Sequence, residues 1–179
     1  MNNQQRGLAL LLAIGLQVAV LAGMLVNSSL PLWAGDEIKL RTTPIDPRSL
    51  FRGNYARLNY EISTVPTGSL TGRFIRHGEV VYVRLKQAPD GVFEYADIVL
   101  EKPQTGTFIR GRYQNSSFGI ADQIDVEQFN IEYGIEAYFA PVDEALALER
   151  ELRSGGAIAT VMLLGNGQSA LKSISAETR

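Results

Sequence analysis

Few residues in this chain belong to the types that usually carry catalysis. It contains no cysteine and a single histidine, His77, which lies in the glycine-flanked stretch TGRFIRHGE beside Arg73 and Arg76. The absence of cysteine excludes disulfides, thiolate metal sites and cysteine nucleophiles. A Ser-His-Asp triad or a histidine metal site would have to use His77. Because a histidine in such a loop is more often merely solvated, we expect no catalytic or metal-binding role for it.

Two other pairs of residues have side chains that can exchange protons. Ser49 and Lys86 would form a serine–lysine dyad only if the fold brought them together, and no motif surrounds either of them. Glu132 and Glu136 are predicted on one face of a single strand, where four residues span about 13 Å. That separation is too large for one shared proton or metal ion, so we expect a solvated acidic face.

The remaining acidic residues and the glycines show no recognised binding pattern. Asp122, Asp125 and Glu127 lack the Asp-x-Asp-x-Asp-Gly spacing of a calcium loop, and no phosphate-binding glycine loop occurs. The net charge is −2, without the basic excess that nucleic-acid binding requires. We therefore expect a protein that is not an enzyme and has no metal, cofactor or nucleic-acid partner.

An apolar segment near the N-terminus has the length of a membrane-spanning helix. Residues 7–26 contain one strongly polar residue, Gln17, and a helix needs about 20 apolar residues to cross a bilayer. The alternative is a cleaved signal peptide, but its apolar region usually has about 7–15 residues behind a basic start, and only Arg6 precedes this one. We expect a retained single-pass anchor in the inner membrane, with residues 1–6 cytoplasmic and the later domain periplasmic or extracytoplasmic.

One face of this predicted anchor carries small residues. Gly15, Ala19 and Gly23 recur every four residues, a pattern that lets another helix approach closely. Gln17 could hydrogen-bond to such a partner if the interface were wide enough to include it. The alternative is that small residues are simply common in membrane helices, and the sequence leaves both interpretations open.

A short linker is predicted to follow the anchor. Residues 27–36, NSSLPLWAGD, contain Trp33, the only tryptophan of the chain. Its ring either rests among lipid head groups, where tryptophan is enriched, or packs under the domain that follows.

Residues 37–179 are predicted to form one β-rich domain. The strand-like runs are rich in Val, Ile, Tyr and Phe and are separated by Gly, Pro, Asn and Asp; they are 37–42, 55–63, 80–86, 92–100, 107–113, 126–139, 157–164 and 169–175. One short helix interrupts them, capped by Asp143 and ended by Gly155. The predicted fold is mainly β, an N-terminal transmembrane helix followed by an antiparallel β-barrel or sandwich with one short inserted helix.

The stretch PIDPRSLFRGNYARLNYEI contains several local signals in succession. An Asp-Pro start and a later glycine predict a short helix over 47–52 that ends at Gly53 or Asn54 in a left-handed conformation. A strand follows, and its alternation places Leu58 and Tyr60 in the core. The glycine, leucine and second tyrosine are thus explained by folding alone.

These residues resemble the GDYXXLXY family, named for the motif Gly-Asp-Tyr-x-x-Leu-x-Tyr. The matching positions are Gly53, Tyr55, Leu58 and Tyr60, and YGIEAYFAP at 133–141 is similar to the family's second signature. The motif's aspartate is Asn54 here, which keeps the tendency to form turns but loses the charge, so a structural role is favoured. The resemblance implies a bacterial membrane-anchored protein with an exported domain and no assigned activity, often encoded beside polytopic membrane proteins.

Arginines surround this motif. They suggest an exposed patch for a partner, formed by Arg48, Arg52, Tyr55 and Arg57. The favoured alternative is that Arg48 or Arg52 pairs with Asp46 or Glu61 and braces the turn. The leading functional hypothesis is an accessory or interaction protein that works with the bilayer and a polytopic membrane partner. The alternative is a small-ligand-binding β-barrel on the outer side of the cytoplasmic membrane.

Overall fold

A computed structural model describes residues 3–43, 55–66, 70, 75–114, 128–139 and 156–176. The helix predicted over 47–52, the turn at Gly53 and Asn54, and the inserted helix between Asp143 and Gly155 lie outside these ranges. Within them, the prediction of a mainly β chain with one N-terminal apolar helix is confirmed.

The N-terminal helix, α1, spans Asn3–Ala34. Its segment Gly7–Ala34 is long and apolar enough to cross a membrane. Residues 27–34 are helical, so the predicted linker is wrong over this stretch, and Gly35 alone separates α1 from the first strand. The Gly35 N–H donates to the Pro31 carbonyl at 3.0 Å, which continues the helical hydrogen-bond ladder to the last residue before the strand.

Eleven strands and one short 3-10 turn follow among the described residues. They are β1 Asp36–Thr43, β2 Tyr55–Arg57, β3 Asn59–Tyr60, the 3-10 turn Glu61–Ser63, β4 Thr64–Pro66, β5 Val80–Gln87, β6 Phe93–Val99, β7 Phe108–Gln114, β8 Gln128–Glu132, β9 Ala137–Phe139, β10 Ala157–Leu163 and β11 Ser169–Ala176. The predicted run 126–139 is not one strand, because residues 133–136 form a turn between β8 and β9 with Gly134 at φ +83°.

The main sheet has the strand order β11-β10-β1-β6-β5-β7-β8-β4. Its neighbours are antiparallel except β1 and β6, which run parallel and meet at Leu40 and Phe93. The sheet is therefore mixed, where a purely antiparallel one was predicted. The reason is that the chain travels from β1 through β2–β5 before it enters β6, which leaves room for a crossover.

A consecutive stretch of chain connects β4, at one end of the pairing path, back to β1. β4 pairs with β8 at one end of the path, while β3 pairs with β1 through Thr42 and Tyr60. Since β3, the 3-10 turn and β4 are consecutive, the strands form a closed circuit, as in a small barrel. β10 and β11 extend the sheet from β1, and the turn between them meets β7, where the Arg110 N–H donates to the Gly167 carbonyl at 2.9 Å. Of the two predicted architectures, the connectivity matches the barrel.

The described interior of the circuit is filled by side chains. Strand alternation puts Val81, Val83 and Leu85 into the core and leaves Arg84 and Lys86 exposed, as predicted. The three buried residues belong to a single hydrophobic cluster. The cluster also includes Leu40, Leu58, Tyr60, Ile98, Ile109, Phe129, Ile131, Tyr133 and Val161. The core therefore joins the signature residues to the main barrel.

Candidate functional site

The two signature segments of the sequence lie side by side in the fold. β2, which begins at Tyr55, pairs antiparallel with β9, so that Tyr55 lies opposite Phe139 and Arg57 opposite Ala137. Just beyond this ladder the Leu58 N–H donates to the Glu136 carbonyl at 2.7 Å. Stretches that are far apart in sequence thus form one continuous piece of backbone pairing.

Two buried tyrosines cross-link these segments in a reciprocal manner. The Tyr60 hydroxyl donates to the Ile135 carbonyl at 2.7 Å, and the Tyr133 hydroxyl donates to the Ile62 carbonyl at 2.5 Å. Tyr60 is 1% exposed. We call this group, Leu58, Tyr60 and Ile62 together with residues 133–136, the signature clasp. Its core tyrosines serve as hydrogen-bond donors to carbonyls that would otherwise be buried without partners.

Both hydroxyls of the clasp are held in the neutral form. Burial raises the pKa of Tyr60 above its usual range, and the nearby Glu136 carboxylate raises it further. The same two causes, burial first, raise the pKa of Tyr133. Because a phenol that stays protonated neither accepts nor releases protons near neutral pH, these tyrosines act as structural donors.

Glu136 closes the turn of the clasp. Its carboxylate accepts hydrogen bonds from the Tyr133 N–H at 2.6 Å and from the Gly134 N–H at 2.8 Å. The expectation of a solvated acidic strand face with Glu132 is therefore wrong, since the chain turns between the two residues. Glu132 lies on β8 and accepts from the Gln114 side chain at 2.5 Å. Glycine followed two residues later by glutamate was the sequence signal that could have indicated this turn.

The outer side of the same turn borders an open cleft of about 590 Å³. The opposite wall comes from the last turns of α1, and the floor comes from β7 and β11. Its lining residues are Asn27, Ser28, Pro31, Arg110, Gly111, Arg112, Glu132, Tyr133, Gly134, Ile135, Ala137, Gln168, Ser169, Ala170 and Leu171. We call it the junction cleft, because it lies where the helix meets the domain. No signal in the sequence indicated it.

The family model described as GDYXXLXY protein matches residues 17–174, which is most of the chain. The chain belongs to the GDYXXLXY family. Comparison with curated proteins and with solved structures found no match. Membership therefore assigns no activity, and the roles of the family's motif residues have to be argued from the structure itself.

The structure describes only some of the residues in the family's motif. Leu58 and Tyr60 are buried in the core, as predicted, and Tyr55 opens β2. Gly53 and Asn54 lie outside the described residues, so their predicted turn stays a prediction. The proposed partner patch also stays a prediction, since Arg48 and Arg52 lie outside as well and the side chains of Tyr55 and Arg57 are not described. Glu61, one suggested brace, has the Arg41 guanidinium 3.8 Å away.

The predicted helix-packing residues lie on the exposed part of α1. Gly15, Ala19 and Gly23 share one face, because residues four apart are neighbours on a helix, and nothing lies within 4 Å of a Cβ built at either glycine. Gln17 is rotated by about 200° from Gly15 and therefore lies on the opposite face. The structure thus separates Gln17 from the small residues with which it was grouped.

Among the described residues, the other side chains considered in the sequence are not brought together. His77 is exposed in the turn before β5, and the Lys86 ammonium lies 3.8 Å from the Glu94 carboxylate, while Ser49 lies outside the described residues. Trp33 is 74% exposed, so among the described residues it does not pack under the domain. Its position suits a ring among lipid head groups.

Proposed function

We propose that this member of the GDYXXLXY family is a membrane-anchored accessory protein that acts with a polytopic membrane partner. Its helix α1 spans the cytoplasmic membrane and its β-domain lies on the periplasmic or extracytoplasmic side. The observation that carries this proposal is the direct junction between helix and domain. A domain that must be held in a fixed position over a membrane partner needs such a junction, whereas a merely tethered domain does not.

The junction at Gly35 leaves no room for a side chain. A Cβ at this position would lie 2.6 Å from the Pro31 carbonyl oxygen and 2.9 Å from the Leu163 amide nitrogen. The end of α1 packs against β10 and β11, so its orientation is set by contacts as well as by the chain. A rotation of the helix within the membrane would therefore move the domain with it.

The rest of the helix is available to other molecules. None of the membrane-spanning window of α1 is buried against the described domain. The face with Gly15, Ala19 and Gly23 would allow the close backbone approach that stabilises helix pairs in lipid. A partner helix packed against this face would fix the depth of α1 in the membrane and its rotation about the helix axis, and with them the position of the β-domain.

The interior of the barrel supports a scaffold more than a ligand carrier. Leu40, Val81, Val83 and Ile109 are completely buried in one cluster within the described part. A barrel that holds a small ligand needs interior space lined by a few convergent polar groups. Among the described residues, polar side chains with adjoining space occur at the rim, as in the junction cleft.

Cross-linking in intact membranes tests the partner. A photoreactive residue at Gly15 or Ala19 is expected to capture a polytopic membrane protein, whereas one at Gln17, on the opposite face, should capture mainly lipid. Gly15→Ile with Ala19→Ile should abolish the capture, and Ala13→Ile, which adds similar bulk on another face, should leave it unchanged. Equal capture from Gly15 and Gln17, or no capture from either, would contradict the proposal.

Orientation can be tested separately because the chain lacks cysteine. Ser173→Cys places one thiol on the exposed side of β11. A membrane-impermeant maleimide should label this thiol in cells whose outer barrier alone has been opened. If labelling requires rupture of the cytoplasmic membrane, the domain lies on the cytoplasmic side, which contradicts the proposed orientation.

A further inference from the structure

The floor of the junction cleft presents two guanidinium groups side by side. Arg110 and Arg112 are two residues apart on β7 and point to the same outward face, with Gly111 between them. Arg112 donates to the Gly78 carbonyl at 3.0 Å, which uses one of its five N–H groups. No ion-pair partner of the Arg110 side chain is found in the part of the chain that the structure describes.

The charge inside the cleft is positive. Glu132, which lies opposite Arg112 in the β7–β8 ladder, is the one carboxylate among the described lining residues. It already accepts a hydrogen bond from Gln114. Two guanidinium groups against one carboxylate leave an excess of one positive charge, which favours an anion as the occupant.

Neutral donors complete the walls. Asn27 brings a carboxamide from α1, and Ser169 brings a hydroxyl from the start of β11. The Ser169 oxygen is shielded from solvent and has no hydrogen-bond partner among the described residues. Because solvent does not reach this oxygen, a ligand in the open cleft does not reach it either, and Asn27 is the neutral donor that remains.

The position of the cleft selects the kind of anion. Asn27 is the first residue after the apolar run 7–26, and at about 1.5 Å per residue Pro31 lies only about 6 Å further along the helix axis. With α1 inserted, this wall of the cleft stands in the head-group layer. The anions of highest local concentration there are phospholipid phosphates.

We propose that the junction cleft binds the phosphate of an anionic phospholipid from the membrane in which α1 is embedded. Arg110 and Arg112 are the charged contacts, since guanidinium groups bind phosphate oxygens in a bidentate manner, and Asn27 adds a neutral hydrogen bond. The cleft volume lies within the usual range for small-molecule sites. This inference rests on the proposed membrane insertion of α1.

Lipid binding is measured on the full-length protein in non-ionic detergent by native mass spectrometry with added phosphatidylglycerol. The wild type is expected to retain one lipid, and Arg110→Ala or Arg112→Ala to bind it at least about tenfold more weakly, as for the loss of a charge-assisted hydrogen bond. Arg84→Ala, an exposed arginine on β5 outside the cleft, is the matched control and should bind like the wild type. Thermal unfolding of each variant checks that it is folded.

Three outcomes would overturn the inference. Lipid retention by Arg110→Ala and Arg112→Ala at the wild-type level would show that the cleft is not the site. Equally tight binding of sn-glycerol 3-phosphate would show a site for a free anion. If these variants lose a cross-linked partner but retain the lipid, the arginines bind a carboxylate on that partner and not a lipid phosphate. Extraction of the protein from membranes by alkaline carbonate would instead contradict the insertion of α1, so the two failures are distinguishable.

Discussion

The signature clasp and the junction cleft lie on opposite sides of one turn, residues 133–136, and differ in almost every physical respect. On the clasp side Tyr60 and Tyr133 are buried, and each hydroxyl has a backbone partner. On the cleft side the walls mix polar and apolar groups, carry an excess of positive charge and are open. The comparison shows that Leu58 and Tyr60, the motif residues whose side chains the structure describes, build and hold a wall, while groups outside the motif line the space in front of it.

This division makes the clasp sensitive to small changes of shape and the cleft insensitive to them. A closed, fully bonded core loses free energy whenever a side chain is shortened, enlarged or deprived of its partner. A solvated surface loses little, because water replaces the missing contacts. The expected effects on the free energy of unfolding therefore separate the two regions.

The largest effect is expected for Tyr60→Ala. It removes a ring that is 1% exposed and leaves both a cavity and an unpaired Ile135 carbonyl, so the free energy of unfolding should fall by about 3–5 kcal/mol. Trp33→Ala, at an aromatic that is 74% exposed, should change it by less than about 0.5 kcal/mol. Urea unfolding of the full-length protein in detergent measures both. Similar losses for the two variants would remove the distinction between a closed clasp and an open junction.

Gly111→Ala should have the next largest effect. A Cβ at Gly111 would clash with a methyl carbon of Ile131 and lie 3.0 Å from the Tyr133 ring, on the inner side of β7. Overpacking of this kind costs about 1–3 kcal/mol. Gly165→Ala is the matched control, because nothing lies within 4 Å of its Cβ, and it should leave stability unchanged or slightly raised. A neutral Gly111→Ala variant would show that the turn is not tightly held against β7.

Tyr60→Phe and Tyr133→Phe each keep the ring and remove only the hydroxyl. Each should cost about 1–2 kcal/mol, because a buried carbonyl loses its donor. Tyr82→Phe serves as the control on the half-buried outer face of β5 and should cost less. If neither clasp variant is less stable than this control, the reciprocal hydrogen bonds do not hold the turn.

The smallest expected effect is the change of the free energy of unfolding with pH in the alkaline range. The pKa values of Tyr60 and Tyr133 are raised in the folded protein, whereas an unfolded tyrosine ionises near about pH 10. The unfolded state therefore binds fewer protons above that pH, and stability should fall as the pH rises past about 10. The double variant Tyr60→Phe, Tyr133→Phe should show a flatter decline. An identical slope in the variant would mean that both phenols ionise as easily folded as unfolded.

Alternation and composition were sufficient to predict the apolar N-terminal helix, most strands and the burial of Leu58 and Tyr60. They did not predict that residues 27–34 are helical, because Asn, Ser and Pro are poor helix formers and packing of α1 onto β10 and β11 outweighs propensity there. The break at 133–136 was missed since the apolar alternation continues through it. The bend depends on Gly134 and on distant contacts with Leu58 and Tyr60, which no local pattern contains.

The junction cleft could not be predicted from the sequence for a related reason. Its lining comes from α1, β7, the β8–β9 turn and β11, which meet only after the barrel circuit has formed. Arg110 and Arg112 look like ordinary outward residues of a strand. Only the folded structure places them in one cleft with the last turns of α1.

The central claim is that α1 and the β-domain form one rigid unit, because both the proposed partner and the proposed lipid site depend on it. Spin labels at Leu21→Cys and Ser173→Cys, in the full-length chain reconstituted in lipid nanodiscs, report the distance between helix and domain. A single narrow distance distribution is expected, which should broaden strongly when Gly and Ser residues are inserted after Gly35. A wild-type distribution as broad as that of the insertion variant would contradict the claim.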